Sequence, residues 1–307
     1  MEHHQARLVL HPPAKVNLIL KVLDRMPNGY HTLWSLMQTV GLTDELEIRL
    51  SSAFHGVRLE CPGSMLPPDS NNLVFRAAEG VLERYPSTVG VELILRKHIP
   101  MGAGLGGGSS DAAATVMGLN HLLQLGLSVS DMTAIGQTLG SDVPFFFQAP
   151  SAVVRGCGED LLPVTIHGDR WVVLVNPGFP IATQKAYHQL DMSRSQAPEL
   201  PAVYKNFESS REWDWKEILS SMANDFEEVL FDEYRALGRM KRQLIEAGAE
   251  AALVSGSGAT VFGLFQSEQD ATRAKSTMET VPDWQAWAVP TKTSPLLLPV
   301  SPGLAAS

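Results

Sequence analysis

The sequence predicts an α+β protein of two domains, and three observations favour that fold class. The chain has 307 residues, 44% of them hydrophobic, which is enough for two cores of ordinary domain size. About the first 65 residues alternate apolar and polar side chains as strands do. Helical and strand periods then alternate, and the apolar strand at 171–177 opens a second mixed region. We expect domains at 1–165 and 166–292, followed by a flexible tail at 293–307.

Composition and charge exclude several classes of protein. The formal net charge of −9 argues against a general polyanion binder, because such proteins carry clustered Lys and Arg. Cys61 and Cys157 lack C-x-x-C spacing and suggest neither a disulfide framework nor a zinc site. No apolar run approaches the ~20 residues of a membrane span, and the first residues lack a signal peptide's apolar region. We expect a cytoplasmic protein that binds neither nucleic acid nor membrane, with monomer and weak dimer both open.

The first strand, at 14–23, carries polar residues on one face. Its alternation places Lys15 and Asn17 on the face opposite Val16 and Leu18. A solvated edge of a sheet explains two polar neighbours as well as a catalytic face does. The turn signal "PNG" follows, and "TLWSLMQTV" and "DELEIRL" are predicted as further strands.

The remaining elements follow from the period of the apolar residues. Apolar residues at helical spacing predict helices, and strict alternation predicts strands. The predicted elements are helix 71–85, strand 89–97, helix 109–125 with Ser and Asp in its first turn, helix 130–139 stopped by Gly140, strand 171–177, a loop at 192–212, helices near 213–222 and 232–247, a strand, glycine turn and strand over 251–265, and a last helix and strand.

A glycine-rich loop, "IPMGAGLGGGSSDAA" at 99–113, joins a strand to a helix. Gly102, Gly104 and Gly107 match the dinucleotide fingerprint G-x-G-x-x-G, but a second helix follows where that motif requires a parallel strand. A Walker A loop needs a lysine after Gly108, and an ordinary turn needs only one or two glycines. Bare backbone before a helix N-terminus favours a bound phosphate, so we expect the loop to hold ATP.

Several polar residues have ordinary structural roles when only their neighbours in the sequence are considered. Asp142 follows a helix stop and suits a turn or a helix C-cap. Tyr30 and His31 follow a surface turn, and Asn71 and Asn72 open a helix as N-caps do. The "SGSG" segment suits a hairpin turn.

Three motifs resemble those of the GHMP kinases, the superfamily of galactokinase, homoserine kinase and mevalonate kinase. They are "PAKVNLIL", the glycine-rich loop and "LVSGSGATVFGLF", in the expected order. The additions "NGYHTLWSLMQTV", "NNLVFRAA", "GSDVPFFF" and "RGCGEDL" resemble the members that phosphorylate 4-diphosphocytidyl-2-C-methyl-D-erythritol, an intermediate of the non-mevalonate isoprenoid route. The resemblance spans 13 to about 290, but within 178–222 it retains only "IATQKAY".

This resemblance implies a fold and a set of site residues. The N-terminal ATP-binding domain would be ribosomal-protein-S5-like, and the C-terminal domain would be ferredoxin-like. Asp142 would be the general base for the acceptor hydroxyl, with Lys15 beside it to stabilise charge. ATP would bring Mg²⁺ with it, and Ser110 is a candidate ligand, while the other metal ligands stay open. The implied phosphate loop comprises Pro100, Met101, Gly102, Ala103, Gly104, Leu105, Gly106, Gly107, Gly108, Ser109 and Ser110.

The resemblance also implies the two ends of the cleft. Aromatic rings stack on nucleobases, and histidine and amide groups pair with their polar edges. Candidates for the adenosine end are Asn71, Asn72 and Lys97, and candidates for the cytidine-diphosphate-linked substrate are Asn17, Tyr30, His31, Thr183 and Tyr187, with Tyr187 as the ring opposite the Tyr30–His31 pair. Backbone amides of "SGSG" would close over the reacting groups from the second domain.

Three other functions compete with this prediction. Another kinase or a decarboxylase of the superfamily is the nearest, and the Tyr30–His31 pair favours the cytidylylated acceptor. A ligand-binding regulator without catalysis is the second, and the presence of both Lys15 and Asp142 favours an enzyme. A nicotinamide dehydrogenase is the third, and titration with ATP and NAD would separate it.

Overall fold

The computed structural model describes residues 6–148, 150–196, 198–292 and 294, so the predicted tail lies almost wholly outside the described residues. The elements up to residue 167 are β1 (Arg7–Leu10), β2 (Pro13–Arg25), β3 (His31–Thr43), β4 (Glu45–Ser51), β5 (Val57–Glu60), α1 (Leu73–Arg84), β6 (Gly90–Arg96), α2 (Gly107–Leu122), α3 (Val129–Leu139), α4 (Phe145–Gln148), β7 (Ser151–Gly156), β8 (Asp160–Pro163) and β9 (Thr165–His167). Within the described residues, no helix combines the length and the apolar content needed to cross a membrane.

The elements beyond residue 170 alternate in the same way. They are β10 (Trp171–Asn176), α5 (Thr183–Ser193), α6 (Ala202–Ser210), β11 (Glu212–Asp214), α7 (Trp215–Ser221), β12 (Ala223–Asn224), α8 (Glu227–Glu233), α9 (Arg235–Glu246), β13 (Ala251–Val254), β14 (Val261–Phe265), α10 (Glu268–Met278) and β15 (Gln285–Pro290). Helices and strands are mixed throughout, as the α+β prediction requires.

Two sheets form the N-terminal half. One has the order β1-β4-β6-β5, and α1 to α3 cover it with a core that includes Val74, Val81 and Leu119. The other has the order β12-β2-β3-β7-β8. Because β12 lies beyond residue 220 and pairs with β2, the C-terminal half contributes a strand to this sheet. The boundary at 165/166 therefore stays a prediction.

The alternation predicted for β2 holds only for its first part. Val16 and Leu18 lie in the core between the five-stranded sheet and the C-terminal sheet. A register shift against β3 between Asn17 and Ile19 interrupts the period, so Ile19 joins the same core and Leu20 packs in another cluster. The bulge ends the polar face after Asn17.

One antiparallel sheet, β13-β14-β10-β15, forms the centre of the C-terminal half. Helix α9 packs on it through Leu237, Met240 and Leu244, whose spacing of three and four residues gives one apolar face. Strands β13 and β14 are joined by the glycine turn at 255–260. This turn projects towards the glycine-rich loop of the N-terminal half.

The loop predicted at 192–212 is wrong for twelve of its residues, because α5 ends at Ser193, α6 occupies Ala202–Ser210 and β11 begins at Glu212. Helix α6 is largely exposed, and Tyr204 anchors it against Trp34 with ring centroids 5.1 Å apart. A short polar helix held by one or two aromatic contacts gives little helical periodicity in its sequence. The helix at 130–139 is confirmed: α3 has a capping box of Ser128 and Asp131 and ends at Gly140.

Candidate active site

A cleft of about 500 Å³ lies where β2, the glycine-rich loop and the glycine turn meet. Its walls come from both halves of the chain. The residues predicted for the site that line it are Lys15, Asn17, Asn71, Asn72, Lys97, Asp142, Thr183, Tyr187 and the loop from Pro100 to Ser109. Tyr30, His31 and Ser110 are not among the lining residues.

The glycine-rich loop requires its glycines for conformation and for close packing. Gly104 has φ +76°, and a Cβ there would lie 2.0 Å from the carbonyl oxygen of Ser255. The Oγ of Ser255 donates to the carbonyl of Gly104 at 2.9 Å, and the amide of Thr260 donates to the carbonyl of Ala103 at 3.2 Å. The loop and the glycine turn are therefore joined backbone to backbone.

Helix α2 begins two residues earlier than its sequence predicts. Its N-cap is Gly106 in the left-handed conformation, and Ser109 and Asp111 lie inside the helix. The first amides of a helix have no intrahelical acceptor, so those of Gly107, Gly108 and Ser109 face the cleft side of the loop as an anion site. The predicted start at residue 109 is wrong, because bare backbone, and not a serine or aspartate side chain, occupies the N-cap.

Lys15 and Asn17 face the cleft and hold each other in place. The Nζ of Lys15 donates to the Oδ1 of Asn17 at 2.7 Å, and the Nδ2 of Asn17 donates to the Oγ of Ser35 at 2.8 Å. Lys15 and Asn17 are 4% and 1% exposed, so a solvated sheet edge does not explain them. The backbone amide of Lys15 also donates to the carbonyl of Leu105 at 2.9 Å, which fixes the strand to the phosphate loop.

Asp142 lies across from this pair in the turn between α3 and α4. Its Oδ2 is 3.6 Å from the Nζ of Lys15, beyond direct hydrogen-bond distance, and its side chain is 32% exposed. Gly140, not Asp142, caps α3. The carboxylate therefore has an accessible oxygen beside a buried cation.

The adenosine end of the cleft holds a second buried lysine. The Nζ of Lys97 donates to Asp44 and, at 2.7 Å, to the Oδ2 of Asp111. Asp44 is fully buried and also accepts from the amides of His98 and Ile99 at 2.5 and 2.9 Å. Among the described residues no other group donates to Asp111, and burial raises the pKa of its carboxyl to about 8. The carboxylates raise the pKa of Lys97, which stays charged.

One of the two asparagines has the cap role that local sequence suggests. Asn72 is the N-cap of α1, since its Oδ1 accepts from the amide of Val74 at 3.0 Å. Its Nδ2 donates to the carbonyl of Pro67 at 3.1 Å. Asn71 bonds to Asp69 instead. Both line the cleft, so an adenine contact by either stays a prediction.

Ser110 meets one requirement of a magnesium ligand. Its Oγ is buried and has no hydrogen-bond partner among the described residues. Mg²⁺ on ATP keeps several waters and takes one or two protein oxygens, so an unpaired hydroxyl in the first turn of α2 fits it. The described residues contain no group of three or more His, Cys, Asp or Glu placed to hold a metal ion.

The predicted cytidine residues lie together only in part. Tyr30 is 65% exposed on its turn. His31 stacks directly on Tyr187 with ring centroids 4.9 Å apart. The role of Tyr187 as the ring opposite the Tyr30–His31 pair stays a prediction. Burial and the charge of Asp142 raise the pKa of Tyr187 to about 12. Thr183 bonds to Ser257 of the glycine turn at 2.9 Å.

Sequence reasoning missed three carboxylates around the cleft. Asp44 and Asp111 hold Lys97, and Asp191 on α5 lies 2.6 Å from the Nε2 of His31. Asp44 and Asp191 each pair with a residue more than fifty positions away, so no local pattern identifies them. Only Asp111 could have been noticed in the sequence, because a charged residue inside the alanine-rich stretch of α2 needs a partner when it is buried.

Comparison with known proteins places this cleft in a family. The model of the GHMP kinases N terminal domain matches residues 72–149, and that of the GHMP kinases C terminal matches 203–282. A 4-diphosphocytidyl-2-C-methyl-D-erythritol kinase of Geobacter metallireducens is 41% identical over 92% of this chain and 98% of its own length. One of Citrifermentans bemidjiense is 41% identical over 93% of this chain and 99% of its own length.

Solved structures agree with these relatives. A crystal structure of 4-(cytidine 5'-diphospho)-2C-methyl-D-erythritol kinase matches 94% of this chain and all of its own, with a TM-score of 0.76 and 31% identity. Homoserine kinase from Cytophaga hutchinsonii matches 97% of this chain and 99% of its own, with a TM-score of 0.72. At 20% identity, the second likeness shows a common fold.

Proposed function

The chain belongs to the GHMP kinases, and within them to the 4-diphosphocytidyl-2-C-methyl-D-erythritol kinases, and on this premise we propose the reaction that its cleft catalyses. The enzyme transfers the γ-phosphoryl group of ATP to the 2-hydroxyl of 4-diphosphocytidyl-2-C-methyl-D-erythritol. This is a step towards isoprenoid precursors by the non-mevalonate route. A nicotinamide dehydrogenase is excluded by the family.

The observation that carries the proposal is the position of Asp142 beside Lys15 at the mouth of the phosphate loop. Phosphoryl transfer needs little covalent chemistry from the protein, because positioning and charge stabilisation account for most of the rate enhancement. The Oδ2 of Asp142 is partly exposed and 3.6 Å from the Nζ of Lys15. Asp142 takes the proton of the acceptor hydroxyl, and the ammonium of Lys15 stabilises the negative charge that develops beside it.

Lys15 has a second role at the transferred phosphoryl group. The Oδ1 of Asn17 accepts one of its three ammonium hydrogens, and Ser35 orients the Asn17 amide so that this oxygen faces Lys15. The remaining hydrogens are free to contact the γ-phosphate oxygens, where negative charge is held in the transition state. Asn17 thus directs the lysine towards both the base and the phosphate.

The nucleotide binds with its phosphates over the start of α2. The amides of Gly107 to Ser109 and the helix dipole favour the β- and γ-phosphates. When bound with ATP, Mg²⁺ neutralises phosphate charge, and Ser110 is the residue that would hold it. The adenosine lies towards Asn71, Asn72 and Lys97.

The cytidine half of the acceptor lies at the opposite end, beside Tyr187, Thr183 and His31. Tyr187 presents a ring to the cleft, and Thr183 joins this wall to the glycine turn. Tyr30 reaches the base from its exposed turn. Because both substrates are water-soluble metabolites, we place the enzyme in the cytoplasm.

A coupled assay of ADP release tests the proposal. The acceptors are 4-diphosphocytidyl-2-C-methyl-D-erythritol, its uridine counterpart, 2-C-methyl-D-erythritol, mevalonate and homoserine. We expect turnover with the cytidylylated acceptor and a large loss with Asp142→Asn. Comparable turnover of an acceptor without cytidine would assign the chain to another kinase of the superfamily, and ATP binding without any turnover would make it a regulator.

A further inference from the structure

Asn224 lies behind the glycine turn and holds two carbonyl groups at its start. It belongs to β12, the strand that the C-terminal half contributes to the five-stranded sheet, and it is paired there with Leu20 of β2. Its side chain is buried, and the Nδ2 donates to the carbonyls of Val254 at 2.7 Å and Gly256 at 2.8 Å. The Oδ1 accepts from the amide of Phe226 at 2.9 Å. Both hydrogens of the side-chain amide are therefore used.

This contact fixes which way one peptide group of the turn faces. In a trans peptide the carbonyl of one residue and the amide of the next point in opposite directions. Gly256 and Ser257 line the cleft, whereas Asn224 does not. The carbonyl of Gly256 is therefore held away from the cleft, and the amide of Ser257 faces into it. Among the described residues this amide has no acceptor.

The amide of Ser257 lies close to the groups that handle phosphate. A Cβ on Gly256 would be only 3.5 Å from the Oδ1 of Asn17, the atom that accepts from Lys15. On another side the turn is bonded to the glycine-rich loop. Ser257 is buried, and buried amides without a partner are rare in proteins, so a ligand or an ordered water accepts from this one.

We propose that Asn224 is a positioning residue that directs the amide of Ser257 at the transferred γ-phosphoryl group. Asn224 touches neither substrate, because it acts from behind the turn. The inference rests on the proposed function, which places the γ-phosphate beside Lys15. A donor that already faces the developing charge needs no reorganisation in the transition state. Without its bonds from Asn224 the peptide group after Gly256 is free to rotate, because glycine accepts many backbone conformations.

Kinetics of two substitutions at residue 224 test this role. Asn224→Asp removes both donated bonds and keeps the oxygen that accepts from Phe226, and Asn224→Ala removes the same bonds without adding a charge. We expect kcat of both variants to fall about tenfold to hundredfold, because a single oriented donor contributes at most about 10²–10³. KM for ATP should change little, since the glycine-rich loop holds the nucleotide. A purely structural asparagine would lower the thermal midpoint and leave kcat of the folded variant at the parent value.

Asn176 provides a matched control at the other end of the same turn. It is buried, its Nδ2 donates to the Oγ1 of Thr260 at 3.1 Å, and its Oδ1 accepts from the amide of Gly178 at 2.9 Å. The hydroxyl of Thr260 can donate to a carboxylate instead, so Asn176→Asp keeps this contact. Asn176 does not line the cleft, and Asn176→Asp should keep the parent kcat. Equal losses at both positions would refute a specific role of Asn224.

Nuclear magnetic resonance detects the amide of Ser257 without turnover. Carbonyl-¹³C glycine combined with ¹⁵N serine selects the Gly–Ser peptide groups, which occur at 63–64, 108–109, 140–141 and 256–257. The signal absent from Ser257→Ala identifies the last of these. The probe is the β,γ-imido analogue of ATP with Mg²⁺ and the cytidylylated acceptor. We expect a downfield shift and slower hydrogen exchange of the Ser257 amide in the parent, and a smaller response in Asn224→Asp.

The outcomes separate this inference from the proposed function. If the Ser109 amide of the glycine-rich loop responds to the probe and that of Ser257 does not, the role of Asn224 is refuted and the phosphate site stands. The same holds if the parent phosphorylates the cytidylylated acceptor and the folded variants keep its kcat. If the parent does not turn over this acceptor, both fall together. If neither variant at residue 224 folds, the parent spectrum alone decides, because an amide that does not respond leaves nothing for Asn224 to position.

Discussion

The catalytic end and the adenosine end of the cleft each contain a buried lysine, but the two lysines have different partners. Lys15 donates to a neutral amide, and its only acidic neighbour in the described structure lies 3.6 Å away with a third of its side chain exposed. Lys97 donates to two buried carboxylates at once. An ammonium has three hydrogens, so Lys15 keeps two for ligands and Lys97 keeps one.

This difference indicates that Lys15 serves the reaction, whereas Lys97 serves the stability of the fold. In a complete buried ion pair the attraction roughly offsets the cost of desolvation, but removal of one partner leaves an uncompensated buried charge. At Lys97 that penalty is large, because Asp44 also holds the backbone at the start of the phosphate loop. At Lys15 no buried charge is left behind, because the Oδ1 of Asn17 that loses its donor is neutral and Asp142 is partly exposed to solvent.

The largest effect is expected from Asp142→Asn, which keeps the shape of the side chain but removes the base. General-base catalysis contributes on the order of 10² to 10⁴-fold, so kcat should fall by that factor with little change in either KM. The ion pair is partly exposed and contributes about 0–1 kcal/mol to stability. ADP release and urea unfolding measure the two quantities. Asp232→Asn, at an exposed residue of α8 that does not line the cleft, is the control. A kcat within about threefold of the parent would remove Asp142 from the mechanism.

The next effect is on stability, and it compares the two lysines directly. Lys97→Met leaves the buried carboxylate of Asp44 without its cation and removes a donor from Asp111, so it should lower the free energy of unfolding by about 3–5 kcal/mol. Lys15→Met should abolish turnover with a much smaller loss of stability, because neither partner is left as a buried charge. Urea titrations of both variants, with circular dichroism, measure the difference. Equal losses in the two variants would contradict the distinction between the two ends.

The sequence predicted the catalytic end better than the rest of the cleft for a physical reason. Lys15, Asn17 and the glycine loop act through local features, namely strand alternation and backbone without side chains, which a sequence displays directly. The partners of Lys97 and His31 come from distant parts of the chain, so they depend on how sheets and helices pack. The capped start of α2 was misplaced because serine and aspartate usually cap helices, whereas here Gly106 does so.

A third, smaller effect concerns the proton at the adenosine end. Burial raises the pKa of Asp111 from 3.8 to about 8, so between these values the folded protein keeps a proton that the unfolded chain has lost. The free energy of unfolding therefore falls as pH rises through this window, by at most about 1.4 kcal/mol per pH unit. Asp111→Asn lacks this proton, so the parent should lose about 1 kcal/mol per unit relative to the variant from about pH 6 to pH 8. Parallel stability curves would show that Asp111 is ionised throughout, with Lys97 balancing it.

The smallest effect is expected from a substitution in the glycine-rich loop, at the start of α2, which lies between the two lysines. Gly106 is unsuitable for substitution, because its φ is +68° and a Cβ would lie 3.0 Å from the Cγ of Lys15. Gly108 lies in the first turn of α2, where a Cβ would meet only the Cδ1 of Leu73 at 3.6 Å. Alanine there should stabilise the helix by roughly 0.5–1 kcal/mol, because glycine loses more conformational freedom on folding.

The same methyl group should weaken nucleotide binding, so the two effects of Gly108→Ala have opposite signs. It occupies the surface over which phosphate oxygens approach the amides of α2, and we expect Kd for an ATP analogue to rise about tenfold, or about 1.4 kcal/mol. Gly80→Ala, at a glycine inside α1 that does not line the cleft and whose Cβ would have no neighbour within 4 Å, controls for the replacement of a helical glycine. Calorimetric titration measures the change in Kd, and thermal unfolding of the same preparation measures the change in stability. A variant that is more stable and binds the analogue as the parent does would show that the phosphates lie elsewhere in the cleft, nearer to Lys15 and the glycine turn.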